Sequence, residues 1–349
     1  MEIKIGNKLV AENAPVFIIA EAGANHNGCL STAKEMVIAA RDAGVDCIKF
    51  QTFTAEEFCL DKNKNFTYFS QGSQVTESEF EMFKRLEFTK DQWLDLISFC
   101  KKEKIQFLTT IQDPINLAMM QEIGLDAIKV GSDDFDHLVN MRKYAKTGLP
   151  LIVSKGMATE QEAEIIINEL QSLCSGGLII LHCVSLYPAN ARLLNLNQIK
   201  ALKEKYKNII FGFSDHSQSV VAPALAVMLG AKVIEKHFTL DHKLPGPDHW
   251  FSMDPVQLCE MVENIRYAER ALGSGDLNPS EAEMASKPIM RRRVVAKREL
   301  QKGECLDESM VEFKRASEGI YAGDWGNMVG RKIAKAKSKN EAIKIDDVL

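Results

Sequence analysis

A (β/α)₈ (TIM) barrel followed by a small β-rich domain is the fold class the sequence predicts, on three observations. From residue 16 onward, eight short apolar, β-branched runs alternate with stretches of helical spacing. The series occupies about 260 residues, the arithmetic of one closed barrel, whereas a doubly wound sheet usually stops near six strands. After residue 272 the composition shifts to a polar, Gly/Pro/Ser-rich stretch, and a short Lys/Glu-rich segment follows.

The eight runs are Val16–Gly23, Asp46–Thr52, Gln106–Ile111, Ala127–Ser132, Pro150–Gly156, Leu178–Ser185, Ile209–Asp215 and Lys232–Thr239. Each leads into a helical pattern; the first spans Ser31 to Ala43 and stops at Gly44, where a left-handed residue ends a helix well. Upstream, Glu2–Ile5 and Lys8–Val10 flank Gly6-Asn7 and read as a hairpin that plugs the bottom of the barrel. The gap from Thr52 to Gln106 is anomalous. Its part from Phe53 to Lys90, rich in Asn, Ser, Gln, Thr and Phe, is expected to be a loop over the barrel mouth. A helix is expected over Pro255–Leu272, so the barrel with its hairpin takes residues 1–272. Residues 273–289 read as a linker and 290–349 as the small domain. Within that domain Lys302, Glu304, Leu306 and Val311 recur 37 positions later as Lys339, Glu341, Ile343 and Val348, the mark of two halves related by a pseudo-twofold.

Composition narrows the class of activity. The chain has 349 residues, 46% hydrophobic and 26% charged, enough for a sizeable core. A formal charge of −5 gives no net attraction to nucleic acid. No apolar run reaches the roughly 18 residues of a membrane helix, and the N-terminus lacks a signal peptide's apolar region, so no membrane role is expected. The eight cysteines are scattered without a C-x-x-C pair, which suits a reducing cytoplasm.

Both faces of a closed parallel barrel are dry, so a polar residue inside a strand needs a reason. Lys49, Lys129, Lys155 and Lys236 lie in or at the C-terminal ends of strands, the end where barrel enzymes keep their sites. With Ser132, Ser154 and Ser214 they describe a pocket for a substrate carrying phosphate and carboxylate. His216 follows the seventh run and His237 lies in the eighth, so two imidazoles meet at neighbouring strand ends. With Glu21 and Asp248 nearby, they can hold a divalent cation and leave positions open for substrate. Glu21, at the end of the first run, either pairs with a lysine or handles protons. His26 is expected to bind substrate or cap the next helix, and His182 to pack in its strand. His137, His242 and His249 are expected to be solvated, and Trp250 and Phe251 to be loop-packing aromatics.

At these motifs the chain resembles the sialic acid synthase family, the nonulosonate synthases that make N-acetylneuraminate, legionaminate and pseudaminate. The segments Glu21 to Gly28, Ile48 to Thr52, Ile128 to Ser132, Gly212 to Ser217, Glu235 to Thr239 and Gly246-Pro247-Asp248 occur in the family's order and spacing. Residues 290–349 resemble its C-terminal antifreeze-like (SAF) domain, with Arg291-Arg292-Arg293 and Lys314-Arg315 in place. The resemblance implies a TIM barrel joined to a SAF domain in a domain-swapped homodimer. It implies condensation of phosphoenolpyruvate with an N-acylated amino-hexose, giving a nine-carbon 2-keto acid and phosphate. Catalysis would fall to Glu21, His216 and His237, the two histidines holding the metal: Mn²⁺, or alternatively Mg²⁺ or Co²⁺. Lys49, Thr110, Lys129, Ser132, Ser154 and Ser214 would hold phosphoenolpyruvate. Gln51, Asp134, Tyr187, Asp248 and the partner's Arg315 would contact the sugar.

Four positions depart from the family pattern: Thr109-Thr110-Ile111-Gln112, Asp133-Asp134, Lys155 within Ser154-Lys155-Gly156-Met157, and Ala316-Ser317 after Lys314-Arg315. Most bear on the sugar rather than on the reaction, and retention of Gly246-Pro247-Asp248 favours a neuraminate- or legionaminate-type substrate over a pseudaminate-type one. Two other readings compete. One is a class I aldolase with a Schiff base on Lys129, Lys155 or Lys236; the other is a sugar-binding protein with an inactive barrel.

Overall fold

The computed structural model describes residues 1–349, which divide into two compact units, Met1–Gly273 and Ser274–Leu349. The first unit opens with the hairpin β1 (Glu2–Ile5) and β2 (Lys8–Ala11), followed by β3 (Phe17–Gly23), α1 (Leu30–Asp42) and β4 (Cys47–Thr52). Next comes an excursion: α2 (Ala55–Phe58), the hairpin β5 (Asn65–Ser70) and β6 (Ser73–Ser78), and α3 (Glu79–Leu86). After α4 (Lys90–Lys102), strands and helices alternate as β7 (Gln106–Ile111), α5 (Pro114–Ile123), β8 (Ile128–Val130), α6 (Leu138–Ala145), β9 (Leu151–Lys155), α7 (Glu160–Leu173), β10 (Leu178–Cys183), α8 (Asn197–Lys205), β11 (Ile210–Asp215), α9 (Ala222–Met228), β12 (Val233–His237) and α10 (Pro255–Leu272). Eight parallel strands, β3, β4 and β7 to β12, close into a barrel in chain order, and β12 pairs back onto β3.

Side-chain alternation along these strands sorts residues into two apolar layers. The outward set, including Ile18, Ile48, Phe50, Phe107, Val153, Ile180, Phe213 and Ile234, packs beneath the helices. The inward set, Phe17, Ile19, Cys47, Leu108, Ala127, Ile152, Ile179, Leu181, Ile210 and Val233, fills the barrel and is joined by Ile3, Ile5 and Val10 of the hairpin. The hairpin therefore plugs the bottom as expected, because its apolar alternate residues meet the N-terminal ends of the strands.

Phe53 to Lys90 is not the loop the sequence suggested. Polar residues there sit on the exposed faces of a two-stranded hairpin whose register runs from Asn65–Ser78 to Ser70–Ser73, while Phe53, Met82, Leu86 and Phe80 form small cores of their own. The excursion does reach the mouth. Gly246 N donates to Ser70 Oγ at 3.1 Å, Gln71 Nε2 donates to Lys243 O at 2.9 Å, and the Phe69 ring meets Trp250 edge-on at 5.1 Å.

In the second unit, part of the stretch expected as a linker folds as helix α11 (Glu281–Met290). Ser280, which reads as a linker residue, is its N-cap and accepts from Glu283 N at 3.2 Å, and Glu281 and Glu283 complement the dipole in the first turn. Strands β13 (Arg292–Ala296) and β14 (Val311–Arg315) pair antiparallel, and the rest is held by isolated bridges. The internal repeat is real in the backbone. Leu306 N donates to Arg331 O, and 37 positions on, Ile343 N donates to Val294 O; Gly303 N to Ile333 O is matched by Asn340 N to Ala296 O. Leu300 and Lys337, themselves 37 apart, exchange both hydrogen bonds, as residues on a twofold axis must. Gln301 N to Glu304 Oε2 likewise recurs as Ser338 N to Glu341 Oε2.

Candidate active site

The inward positions stop being apolar toward the C-terminal ends of the strands. Above the layer formed by Ile19, Cys47, Leu108 and Val233 the same face presents Glu21, Lys49, Thr110, Lys129, Ser154, Ser214, Glu235 and His237, and these line one cavity of about 150 Å³ at the C-terminal mouth. Gln51, Ser132, Tyr187 and His216 line it as well, so the expected catalytic and phosphoenolpyruvate-binding residues converge.

The two amines are fully enclosed, each only 2% exposed, and each is compensated. Lys49 Nζ donates to Thr110 Oγ1 at 2.7 Å and lies 2.7 Å from Glu21 Oε2 and 3.7 Å from Glu235 Oε2. Lys129 Nζ donates to Ser154 Oγ at 2.8 Å and lies 3.5 Å from Glu235 Oε1, which also accepts from Ser214 Oγ at 2.9 Å. Burial pushes the Glu21 carboxyl up to about 7 against the pull of Lys49, with the neighbouring Glu235 adding to the rise. Burial also works on Glu235, but Lys129 and Lys49 outweigh it and hold that carboxyl below its usual value. Burial depresses the Lys129 amine, whereas Glu21 and Glu235 overcome burial at Lys49 and raise it. The site thus holds two amines against one firmly ionised carboxylate and one that titrates near neutrality.

His216 and His237 face each other with ring centroids 5.3 Å apart. Their environment suits a divalent cation. His216 Nδ1 lies 2.8 Å from Val184 O; a carbonyl only accepts, so Nδ1 carries the proton and Nε2 keeps a free lone pair. His237 Nδ1 is buried without a hydrogen-bond partner, 3.9 Å from Asp248 Oδ2. Burial lowers His216 to about 4 and drives His237 well down, so both rings are neutral, the ligating form. No third histidine, cysteine or carboxylate joins them, which would leave the other positions of a bound ion to substrate and water.

On the expected sugar side, Gln51 Nε2 donates to Glu21 Oε1 at 3.0 Å, and Tyr187 stacks on His216 at 4.1 Å. Asp248 stands behind His237, its carboxyl raised to about 6 by burial. Asp134 does not line the cavity: it turns toward His137, with 3.6 Å between Oδ1 and Nδ1, and the preceding Asp133 takes the place at the wall. The short β8 ends at Val130, so the residues after it follow a turn and not strand alternation. Arg315, at the end of β14, belongs to the second unit and is exposed.

Two of the four lysines are not in the site. Alternation turns Lys236 outward, where it lies 2.6 Å from Asp215 Oδ2, and turns Lys155 outward toward Gln198. Their strand neighbours Glu235 and Ser154 take the inward positions, which leaves Lys129 as the one of the three aldolase candidates inside the barrel. His249, expected in solvent, is buried between Thr239 Oγ1 (2.7 Å) and Asn27 Nδ2 (3.2 Å). His26 is buried against Phe88, and its Nδ1 accepts from Gly28 N at 3.1 Å; His182 packs in β10 as expected. Sequence reasoning missed Glu235, although its spacing of two from His237 puts it on the same face. It also missed Asp133, Cys183 and the aromatic wall of Phe58 and Phe83, which the excursion brings to the cavity.

Comparison with known proteins agrees with this geometry. The NeuB family model matches residues 36–277, and a SAF domain model matches 291–349. The chain belongs to the NeuB family. Among its NeuB-family relatives, an uncharacterized protein of Methanocaldococcus jannaschii is 38% identical over 348 residues, covering 100% of this chain and 99% of the relative. The N,N'-diacetyllegionaminic acid synthase of Legionella pneumophila is 36% identical over 322 residues, 91% of this chain and 90% of the enzyme. Among solved structures, the N-acetylneuraminic acid synthetase of Leptospira borgpetersenii, in complex with citrate, is 37% identical with a TM-score of 0.73, covering 82% of this chain and 95% of that one. The fold and the family are therefore those of the sialic acid synthases, and the relatives are enzymes where their activity is named. No helix of the chain is long and apolar enough to cross a membrane.

Proposed function

We propose that the chain condenses phosphoenolpyruvate with an N-acylated amino-hexose, N-acetylmannosamine or a diacetamido-trideoxyhexose, giving a nine-carbon 2-keto acid and phosphate. The observation that carries this reading is the single inward face holding two buried amines, four hydroxyls and two neutral imidazoles above a sealed apolar floor. Similarity to a legionaminic acid synthase and Gly246-Pro247-Asp248 support a neuraminate- or legionaminate-type sugar.

Lys49 and Lys129, with Thr110, Ser132, Ser154 and Ser214, bind the phosphate and carboxylate of phosphoenolpyruvate. A polyanion entering there takes the amines from Glu21 and Glu235, and the carboxyl already near 7 is the one that accepts a proton. Carbon 3 of the enol bonds to the sugar aldehyde carbon, and Glu21 gives its proton to the aldehyde oxygen as that oxygen gains charge. Water adds at C2 of the resulting oxocarbenium centre, and Glu21 takes up the proton that the water loses. The C2–O bond to phosphate then breaks as the C2 hydroxyl passes its proton to the departing phosphate oxygen, releasing hydrogen phosphate and leaving the ketone. A divalent cation on His216 and His237, Mn²⁺ or alternatively Mg²⁺ or Co²⁺, would supply Lewis-acid polarisation of the aldehyde. Gln51, Tyr187, Asp133 and Asp248 orient the sugar, and in a domain-swapped homodimer the partner's Arg315 completes its contacts.

Reaction in oxygen-18 water decides the bond broken: the label is expected at C2 of the keto acid and absent from phosphate, and labelled phosphate refutes the mechanism. Phosphate release that persists undiminished in excess EDTA, from protein shown to contain no metal, refutes the cation. A Schiff base trapped by borohydride with pyruvate on Lys129 would favour the aldolase reading instead.

A further inference from the structure

Lys155 is a half-buried cation that the condensation does not use. It closes β9, and alternation sends Ser154 into the barrel and Lys155 out toward the helices, where strand residues such as Val153 and Ile180 are apolar. Lys236 occupies the same outward position on β12, and the two differ in compensation. Lys236 has the carboxylate of Asp215 at 2.6 Å. No carboxylate lies within ion-pair distance of Lys155: its Nζ reaches only Gln198 Oε1 at 3.2 Å and Ala158 O at 3.5 Å. Its register partner His182 supplies no negative charge, since Nε2 must donate to Leu194 O at 2.6 Å. Burial lowers the amine's pKa, and Cys183 and then Glu160 oppose it less strongly.

A half-buried ammonium whose only partners are neutral oxygens is a position where an anion gains a charge-assisted hydrogen bond. Lys155 opens on a cleft of about 360 Å³ between α7 and α8, with Ala163, Leu202 and Tyr206 on its walls. The charges at its rim limit the occupant. Lys205 there is shared between Glu160 (3.0 Å) and Glu164 (2.9 Å), so the rim carries one more negative charge than positive. With Lys155 counted the charges sum to zero, so a single carboxylate on an apolar body, which matches one ammonium above an apolar wall, fits better than a phosphate dianion.

We infer that the cleft between α7 and α8 is a second ligand site, separate from the barrel cavity, which binds a small monocarboxylate through Lys155. Fluorine NMR titration of the full chain with 4-fluorobenzoate tests it. Saturable binding is expected with a dissociation constant on the order of 1 mM. Lys155→Met should weaken it at least about tenfold. Ala201→Trp, which fills the exposed rim and keeps the amine, should do the same, so the test stands even if the lysine variant fails to fold. Lys129→Met, which removes an amine from the barrel, should leave the affinity unchanged. The proposal is overturned by the absence of saturable binding, by binding indifferent to Lys155→Met and Ala201→Trp, or by binding that disappears with Lys129→Met alone, which would put the probe in the barrel.

Discussion

At the N-terminal ends of the barrel strands the inward side chains are Phe17, Ile19, Cys47, Leu108, Ala127, Ile152, Ile179, Ile210 and Val233; at the C-terminal ends they are Glu21, Lys49, Thr110, Lys129, Ser154, Cys183, Ser214, Glu235 and His237. Face and strands are shared, and only the height differs. The lower half is sealed by the hairpin residues Ile3, Ile5 and Val10 and contributes what any dry core contributes, about 1.5–3 kcal/mol per large buried side chain. The upper half carries four buried ionisable groups that gain little for stability, because desolvation offsets their attraction. The contrast implies a division of labour: the floor holds the barrel closed and excludes water from below, so that amines and carboxylates can act on each other in a low-dielectric space above.

The largest expected effect tests the upper half. Lys129→Met should lower kcat/KM for phosphate release from phosphoenolpyruvate by about 10³-fold, because the amine that meets the substrate's charge is gone; a loss under tenfold would remove Lys129 from the site. Next, Leu108→Ala should cost about 3 kcal/mol in urea denaturation and leave kcat/KM within about threefold. Equal damage to stability and rate would show that floor and site are not separable.

The third prediction uses the proton on Glu21. Its carboxyl at about 7 should impose a limb on the pH profile of kcat/KM, falling about tenfold per pH unit above that value, and Glu21→Gln should abolish the limb. The sign for stability follows from the same shift. The folded chain holds this proton more tightly than the unfolded one, so the stabilisation is complete below about 4.5 and is lost as pH rises through about 7. Urea midpoints for the wild type and Glu21→Gln at pH 5 and pH 8 measure it. The smallest effect lies outside both halves: Thr159 and Glu162 form the capping box of α7, and Thr159→Ala should cost about 1 kcal/mol by thermal melting with no change in rate.

Much of the barrel was legible because alternation and length identify parallel strands even without partners. Gln106–Ile111 and Pro255–Leu272 match the expected bounds, and the other strands differ by one or two residues at one or both ends, where pairing starts later or stops earlier than the run. Glu21, Lys49, Lys129, His216 and His237 were legible as charged or titratable residues at strand ends. Asp134 was misplaced because a turn after the short β8 breaks the period of two, and His249 because a loop histidine carries no sign of the Thr239 and Asn27 partners that bury it. The excursion after β4 was illegible because its hairpin and helices are short and bury little of their own surface.

By itself the sequence determined the order and type of the barrel elements, the hairpin beneath them and the 37-residue repeat of the second unit, since each is written as a local period that needs no partner to be read. Which lysines share a cavity was decided only in three dimensions. Lys49 and Lys129 face inward while Lys155 and Lys236 face the helices, a difference of one residue in strand phase, and composition does not report phase. The raised carboxyl of Glu21 is likewise a property of the closed barrel. It arises from enclosure beside Glu235, a residue brought to it from the last barrel strand by the pairing of β12 with β3.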